Sequence, residues 1–403
     1  MAEPLNYATQ YTQALSQAYP NVLHFGALYA RNQEGDYNWN GSKSIEVPTL
    51  STTGRRDADR DTIGTKHRNY RNKWTTLTLR NHREWDTLVH PSDIRETNQV
   101  ATIQNITKVF NEEQKFPEMD CYVASTVYSD WTDLAKVPFS GTLTKENVLS
   151  VIDAMSQEMD ENNVPADGRI LYVTPQVNTT IKNAVDFYRS LDVRGTAPAS
   201  VQRAITRLDN ISIEWIPTKF MHTAYDFTEG AEIGASAKQI LMWLVHPSCI
   251  ITPNVYEFAR LDPPSAGSSG KWVYYEEAQE DVFILPNKED AIEYFVAGLS
   301  LSAATFTTAA ATGTGAVAGD CKITLTAPAA ANLLAGSRYF YKEAASTAPD
   351  APGYGEVMTG GEWIEWDGES TVNVTNGHKL TLVVASADAR AYAVGNGTVT
   401  SKT

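Results

Sequence analysis

One nine-residue segment, HREWDTLVH, concentrates residue types that can bind a metal ion. It contains His82, Glu84, Asp86 and His90. On a helix, His82, Asp86 and His90 would share one face and could ligate zinc, which accepts imidazole and carboxylate ligands. The alternation of polar residues around Trp85 instead favours a β-strand, with His82, Glu84 and Asp86 on its polar face. The sequence therefore favours a strand here over a zinc site.

A second candidate for chemistry is the acidic segment YYEEAQED, which carries Glu276, Glu277, Glu280 and Asp281. Two carboxyl groups held about 5–10 Å apart across a sugar can hydrolyse a glycosidic bond. The same residues also fit the polar face of a β-hairpin, and no His or Arg cluster lies nearby in the sequence to tune their pKa values. The polar face is the favoured interpretation, and glycoside hydrolysis is an alternative.

The sequence lacks the short motifs of common catalytic sites. GTGAVAG at 313–319 resembles a dinucleotide-binding loop, but it lacks the preceding strand, the following helix and the closing Lys-Ser/Thr pair. No GxSxG, HExxH or CxxC motif occurs. Cys121, Cys249 and Cys321 are odd in number and far apart, which favours packed thiols over a disulfide framework. We therefore predict no cofactor, no metal and no enzymatic activity.

A basic segment, STTGRRDADRDTIGTKHRNYRNKW (51–74), stands out in a chain whose formal net charge is -15. Affinity for nucleic acid comes mainly from Lys and Arg that neutralise phosphates, so a chain this acidic is not expected to bind DNA over most of its surface. The interleaved Asp residues suit a mixed-charge protein contact better than a phosphate contact. We predict that this segment contacts an acidic neighbouring subunit through Arg55, Arg56, Asp57, Asp59, Arg60, Asp61, Lys66, Arg68, Arg71 and Lys73.

The elements that position this segment are predicted to be a hairpin and an arm. Residues 44–90 alternate apolar and polar residues on both sides of the basic segment, in SIEVPTL and WTTLTLRNHREWDTLV. A hairpin this long cannot bury a core by itself, so we expect it to reach outward. Residues 1–43 are predicted to be an arm with a short amphipathic helix that ends before Pro20. The arm is expected to dock on its own body or on a neighbouring subunit through Tyr7, Tyr11, Leu15 and Tyr19.

The rest of the chain divides into three parts. Helical spacing over 92–135 predicts the longest helical region, with a break or kink at Phe116-Pro117. Residues 142–262 predict a compact α/β unit with buried strands in ILYVT and ILMWLV. From about residue 300, a low-complexity Ala/Thr/Gly stretch predicts a linker or a loosely patterned strand. The short, regularly spaced strands that follow predict a small β-sandwich.

This order of elements resembles the major capsid proteins of tailed bacteriophages, which share the Hong Kong 97-type fold. The resemblance rests on SIEVPTLSTTGRRDADRDTIG, DIRETNQVATIQNITKVFNEEQKFPEMD and GRILYVTPQVNTTIKNA, and it covers about residues 1–298. The later segment RYFYKEA…EWIEWDG…TVNVTNGHKLTLVV resembles the Ig-like domains that some of these coats carry. The resemblance implies an α+β fold with an N-terminal arm (1–43), an E-loop hairpin (44–90), a peripheral domain with a spine helix (91–141 and 263–298), an axial α/β domain (142–262) and a C-terminal Ig-like β-sandwich (299–403).

The resemblance implies a structural, non-catalytic protein. It would assemble as hexamers and pentamers into an icosahedral head that encloses double-stranded DNA without sequence-specific binding. Portal and scaffolding proteins are implied partners, and the scaffold is expected to be a separate protein because only about forty residues precede the hairpin. The implied location is the virion, after assembly in the bacterial cytoplasm, with no membrane association. The C-terminal domain is expected on the outer surface, where it could bind host glycans or a decoration protein, or brace its neighbours.

Two other classes of protein also fit the sequence. A different self-assembling tube or surface-layer protein would use the same kinds of contacts but form tubes or sheets. A carbohydrate-active enzyme with an Ig-like accessory domain would place Glu276, Glu277, Glu280 or Asp281 in a cleft. Microscopy of the purified protein distinguishes these classes, because only a capsid protein forms closed shells.

Overall fold

A computed structural model describes most of the chain, in two compact units. The described residues are 21–29, 37–40, 43–55, 57, 68–96, 102–184, 206–312, 316–360 and 362–403. Within these limits, the first unit comprises 1–123, 226–232 and 247–289, and the second comprises 124–225, 233–246 and 290–403. In the described part of the chain, no helix is both long and apolar enough to cross a membrane.

The helices are concentrated between residues 91 and 182. The described α-helices are α1 (Gly26–Tyr29), α2 (Pro91–Glu96), α3 (Ile103–Phe110), α4 (Phe116–Asp133), α5 (Val148–Glu161) and α6 (Pro175–Lys182), with a π-helical turn at Asn111–Lys115 and 3₁₀ turns at Thr218–Phe220, Pro247–Cys249, Glu289–Ala291 and Ala330–Asn332.

Strands make up most of the remaining regular structure. Before residue 246 the described strands are β1 (Asn38–Trp39), β2 (Ser44–Thr52), β3 (Tyr70–Thr78), β4 (His82–Val89), β5 (Phe139–Ser140), β6 (Ile170–Val173), β7 (Arg207–Leu208), β8 (Ile211–Trp215), β9 (Tyr225–Asp226), β10 (Glu232–Ile233) and β11 (Ile240–Val245). After it they are β12 (Ile250–Ile251), β13 (Asn254–Asp262), β14 (Trp272–Glu280), β15 (Phe283–Ile284), β16 (Ile292–Val296), β17 (Ser302–Ala303), β18 (Thr305–Ala310), β19 (Asp320–Ala327), β20 (Arg338–Ala344), β21 (Ile364–Trp366), β22 (Val372–Asn373), β23 (Lys379–Ala385) and β24 (Ala391–Thr398).

The helical region continues through Pro117, where the sequence predicted a break or kink, and a π-helical turn precedes the proline. Thr102 caps the start of α3 by accepting a hydrogen bond from the backbone N–H of Asn105. Pro117 has no N–H to donate, and its ring would clash with the carbonyl four residues back in a regular helix. In the π-helical turn just before it, the Phe116 N–H donates to the Asn111 carbonyl, five residues back. This wider turn accommodates the proline without ending the helix.

In the first unit, β2 and β3 form the predicted hairpin, and β1 pairs with β2 at its base. The register runs from Ser44 opposite Thr78 to Thr52 opposite Tyr70. The sequence suggested one strand from residue 74 to residue 89, but β4 instead pairs with β14 in a separate sheet with the order β13-β14-β4. The chain turns between the two sheets at Arg80, whose backbone N–H donates to buried Asp281 at 2.7 Å.

In the second unit, a six-stranded sheet with the order β5-β16-β11-β6-β8-β7 carries α5 and α6 against its apolar side chains. Its central strands β6, β11 and β16 are almost completely buried, as expected for continuous apolar runs. The chain leaves this sheet after Val245 and returns at Ile292. The strand pairing therefore differs from the expected limits of 142–262 and 263–298, because β13 pairs in the first unit and β16 in the second.

The C-terminal strands form two sheets, with the orders β17-β24-β23-β20-β21 and β18-β19-β22. Cys321 and Ile323 of the smaller sheet share one core with Leu380 and Leu382 of the larger sheet, so the two sheets form a β-sandwich. The Ala/Thr/Gly stretch supplies β17 and β18 to it. The Ig-like character of this sandwich stays a prediction.

Candidate assembly surfaces

The β2–β3 hairpin is anchored at its base and exposed towards its tip. Ile45 and Val47 are buried in a cluster with Ile251, Phe283 and Leu285. The hairpin residues beyond Val47 are largely exposed. Of the predicted contact residues, Arg55, Asp57, Arg68, Arg71 and Lys73 are described and all are exposed. The others, Arg56, Asp59, Arg60, Asp61 and Lys66, lie outside the described residues, as do Tyr7, Tyr11, Leu15 and Tyr19 of the arm.

The exposed part of the hairpin has two chemically different faces. In the register of the two strands, Arg71 and Lys73 share one face, because cross-strand partners and alternate residues point the same way. The opposite face carries Leu50, Tyr70 and Trp74, which are 69%, 50% and 46% exposed. Exposed apolar residues this close together indicate a contact surface. Sequence reasoning missed this apolar face, since it attended to the charges.

One face of the β13-β14-β4 sheet is exposed and carries carboxylates. Glu84 and Asp86 of β4 and Glu277 of β14 lie on it, together with the exposed apolar residues Leu88 and Phe258. We call these five residues the acidic sheet face. The hydroxyl of Tyr275, on the same face, donates to Glu84 at 3.0 Å and to Glu277 at 3.1 Å. Desolvation, these two hydrogen bonds and the charges of Glu277 and Glu84 raise the pKa of Tyr275 to about 12.

The four residues considered as zinc ligands lie on and just after a strand, and not on one face of a helix. β4 is a strand, so His82, Glu84 and Asp86 share a face, as the favoured interpretation predicted. His82 contacts the carboxylate of Glu277 across the sheet. His90 follows the strand, and its Nδ1 accepts a hydrogen bond from the Ser92 N–H at 3.1 Å. Among the described residues, no group of three His, Cys, Asp or Glu side chains is arranged to hold a metal ion.

A cavity of about 630 Å³ lies on the other face of the same sheet, beside the π-helical turn. Trp85 and Phe110 line it as a stacked pair with ring centroids 3.8 Å apart. Two ion pairs also line it. Arg83 Nε lies 2.6 Å from Glu118 Oε1, and Lys115 Nζ lies 3.1 Å from Glu276 Oε1.

The four carboxylates of YYEEAQED separate in the structure. Glu276 and Glu280 line the cavity, and burial raises the pKa of Glu280. Glu277 lies on the opposite face of the sheet. Asp281 is buried and accepts hydrogen bonds from the Tyr122 hydroxyl at 2.8 Å and from the Arg80 backbone. The structure therefore brings two of the four together in one cavity.

Asp120 is a buried carboxylate that sequence reasoning missed. It accepts hydrogen bonds from the backbone N–H groups of His24 and Phe25, at 3.0 and 3.1 Å. Burial raises its pKa to about 6, although these two hydrogen bonds act in the opposite direction. Asp120 thus fixes the segment that directly follows the predicted arm helix. In the sequence it is one acid among many in a helical pattern, with no signal of burial.

The three cysteines are packed in the interior. Cys121, Cys249 and Cys321 are buried, and none of them forms a disulfide. The prediction of packed thiols is therefore confirmed.

Comparison with known proteins gives a consistent result at the level of structure. No family model and no curated protein matches the sequence. The capsid structure of cyanophage P-SCSP1u is similar with a TM-score of 0.55 and 11% identity, over 72% of this chain and 93% of that chain. The asymmetric unit of the mature capsid of bacteriophage PhiM1 gives 0.52 and 10%, over 72% and 91%. A structure from Mycobacterium phage Che8 gives 0.51 and 13%, over 72% and 96%.

Similarity at this low identity establishes the fold. The chain has the fold of phage capsid proteins, the Hong Kong 97-type fold, as the sequence resemblance predicted. Each comparison covers more than nine-tenths of the other chain, so the match extends over nearly a whole capsid subunit.

Proposed function

We propose that this chain is the major capsid protein of a tailed bacteriophage. It is a structural, non-catalytic subunit that assembles as hexamers and pentamers into an icosahedral head around double-stranded DNA. The observation that carries this proposal is the match over 91–93% of the length of two phage capsid chains. The projecting hairpin supports it, since an exposed hairpin with an apolar face and a basic face fits a subunit that neighbours cover.

Further partners and the location follow from this proposal. Portal and scaffolding proteins are the other partners, and the DNA is enclosed without sequence-specific binding, in keeping with the acidic chain. The subunit ends in the virion after assembly in the bacterial cytoplasm. The C-terminal sandwich, Ig-like by this proposal, faces outward and contacts host glycans, a decoration protein or its neighbours. The comparisons leave just over a quarter of the chain unmatched, which is close to the size of the segment 299–403.

The basic face of the hairpin meets the acidic sheet face of a neighbouring copy. Arg71 and Lys73 are exposed and form no ion pair with another described residue. On the same side of this sheet, Arg260 already pairs with Asp262 at 2.7 Å, which leaves the carboxylates of the acidic sheet face in excess. Complementary charges of this kind set the partner and the register of a contact. The apolar face of the hairpin is then free for a second contact in the same shell.

A charge-reversal experiment tests this contact. Arg71→Glu/Lys73→Glu should reduce the yield of closed shells at least tenfold, while each subunit stays folded, because exposed substitutions change stability by only about 0.5 kcal/mol. Adding Glu84→Lys/Asp86→Lys to the same chain should restore shells, since every copy supplies both surfaces. Negative-stain microscopy measures the yield, with and without a candidate scaffolding protein.

The matched control is Lys145→Glu/Lys238→Glu, which changes the net charge equally on exposed residues of the second unit. Wild-type shell yield from the hairpin variant would refute the contact but leave the capsid proposal standing. Tubes or sheets from the wild-type protein would favour the tube or surface-layer alternative. A monodisperse monomer under all conditions would refute the capsid proposal itself.

The carbohydrate-active alternative depends on the cavity that contains Glu276 and Glu280. A carboxyl group with a raised pKa beside a second carboxyl group is one arrangement that acid–base catalysis uses. We expect no hydrolysis of host-type glycans, and shells of Glu280→Gln should form normally. Turnover by the wild-type protein that disappears in Glu280→Gln would support the enzyme instead.

A further inference from the structure

Arg390 is buried where the C-terminal sandwich meets the six-stranded sheet. It lies just before β24, and its side chain is only 2% exposed. Its Nη1 donates to the Val137 carbonyl at 2.8 Å and lies 3.0 Å from Glu293 Oε2 on β16. Its guanidinium lies 3.9 Å from the centroid of the Phe139 ring on β5. A fourth partner, Glu158 on α5, lies 3.4 Å from Nη2. One side chain from the sandwich therefore contacts three elements of the six-stranded layer.

Lys136 forms a second set of ion pairs at the boundary between the sandwich and the six-stranded sheet. Its Nζ lies 2.6 Å from Asp290 Oδ1, beside the six-stranded sheet, and 2.9 Å from Asp388 Oδ2, in the sandwich. The Lys136 side chain is only 16% exposed, so solvent screens these pairs less than surface pairs. Arg390 of the sandwich therefore pairs with carboxylates beside the sheet, and Lys136 beside the sheet pairs with a carboxylate of the sandwich.

The backbones also approach closely at this boundary. Gly355 in the sandwich adopts a φ of +73°, and a Cβ there would collide with the Pro138 carbonyl. An apolar cluster containing Val137, Val384 and Tyr392 packs nearby, beside a cavity of about 370 Å³ that is lined by residues from both sides. Part of the boundary is therefore closely packed, whereas domains joined by a linker usually meet through a smaller, more polar surface.

We propose that Arg390 locks the C-terminal sandwich onto the six-stranded sheet, so that the two fold and unfold as one cooperative unit. The sandwich is then a fixed part of the second unit, and it cannot be removed as an appended domain can. Loss of one partner from a buried ion pair is strongly destabilising, because it leaves a charge without a counter-ion. This inference concerns folding within one chain and does not depend on the capsid proposal.

Hydrogen exchange in increasing denaturant tests the lock with Arg390→Met. In the wild-type protein, the slowest amides of β16 and of β23 should exchange through the same opening and at matching rates. In Arg390→Met, the β23 amides should exchange at least tenfold faster than those of β16. The control is Arg338→Met, which removes an exposed ion pair with Glu365 inside the sandwich and should leave the two strands matched.

Arg390→Lys is the second variant, in case Arg390→Met does not fold. It keeps the charge but loses the planar group that contacts Phe139 and Glu293 together, so a separation of at least threefold is expected. Matching rates in β16 and β23 for each Arg390 variant that folds would overturn the proposal.

Discussion

The buried carboxyl group of Glu293 makes the stability of the chain depend on pH in a measurable way. Burial raises the pKa of Glu293 from 4.5 to about 7. The charges of Arg390 and Lys136 act in the opposite direction and lower this pKa, whereas the charge of Glu158 raises it. Because the folded-state pKa lies above the unfolded value, the stabilisation from protonation is complete below about pH 4.5 and is lost as the pH rises through about 7.

The size of this effect follows from the raised pKa. An increase in the pKa of Glu293 of about 2.5, from 4.5 to about 7, corresponds to about 3 kcal/mol, since each pKa unit is worth about 1.36 kcal/mol. Glu293 is buried, so solvent screening does not reduce this value much. Because part of this effect is already lost at pH 5, the free energy of unfolding of the wild-type protein should fall by about 2.5 kcal/mol between pH 5 and pH 8 through this one group. In Glu293→Gln, whose side chain cannot ionise, this part of the fall in the free energy of unfolding should be absent.

Urea unfolding of both proteins at pH 5, 6, 7 and 8, followed by tryptophan fluorescence, measures the difference. Other carboxyl groups with raised pKa values, such as Asp120, contribute equally to both proteins, so subtraction isolates Glu293. The control is Glu362→Gln, which removes an exposed carboxylate paired with Lys342 and should leave the fall in place. Parallel pH curves for the wild-type protein and Glu293→Gln would refute the reasoning.

Two further predictions separate internal packing from surface contact. Ile45→Ala, in the buried base of the hairpin, should lower the free energy of unfolding by about 2–5 kcal/mol. Leu50→Ala, on the exposed part of the same strand, should change the free energy of unfolding by less than about 0.5 kcal/mol and should reduce the yield of shells instead. Equal losses of stability for the two variants in urea unfolding would contradict this prediction. Gly355→Ala should lower the free energy of unfolding by about 1–3 kcal/mol, because Gly355 has a positive φ and lies against the Pro138 carbonyl. The control is Gly267→Ala, which has ordinary space around it and should leave the melting temperature nearly unchanged. Similar melting temperatures for the two variants would contradict the close approach.

Local periodicity explains which elements could be predicted from the sequence. Ile45 and Val47 alternate with polar neighbours, and this pattern is that of a half-buried strand, which β2 is. The apolar run ILMWLV predicts a buried strand, and β11 is almost completely buried. Both signals are contained within a few residues, so no knowledge of distant partners is needed.

Partners far apart in the sequence explain what could not be predicted. β4 has the same alternation as β3, but it pairs with β14, nearly two hundred residues later. The turn that separates β3 from β4 is held by Asp281, 201 residues from Arg80. Arg390 is equally inconspicuous within ARAYAVG, and its partners Val137 and Glu293 are distant in the chain. No local pattern identifies such pairs.

The hairpin shows a further limit of sequence patterns, and this limit is informative about function. Leu50 and Trp74 are out of phase with Ile45 and Leu77, so they lie on the face of the hairpin opposite the buried residues. In the structure Leu50 and Trp74 are 69% and 46% exposed, whereas Ile45 on the same hairpin is buried. The sequence shows that both residues are apolar, but it does not show what covers them. Because nothing in the described chain covers Leu50 and Trp74, their burial requires another molecule, which is the arrangement that assembly into a shell would supply.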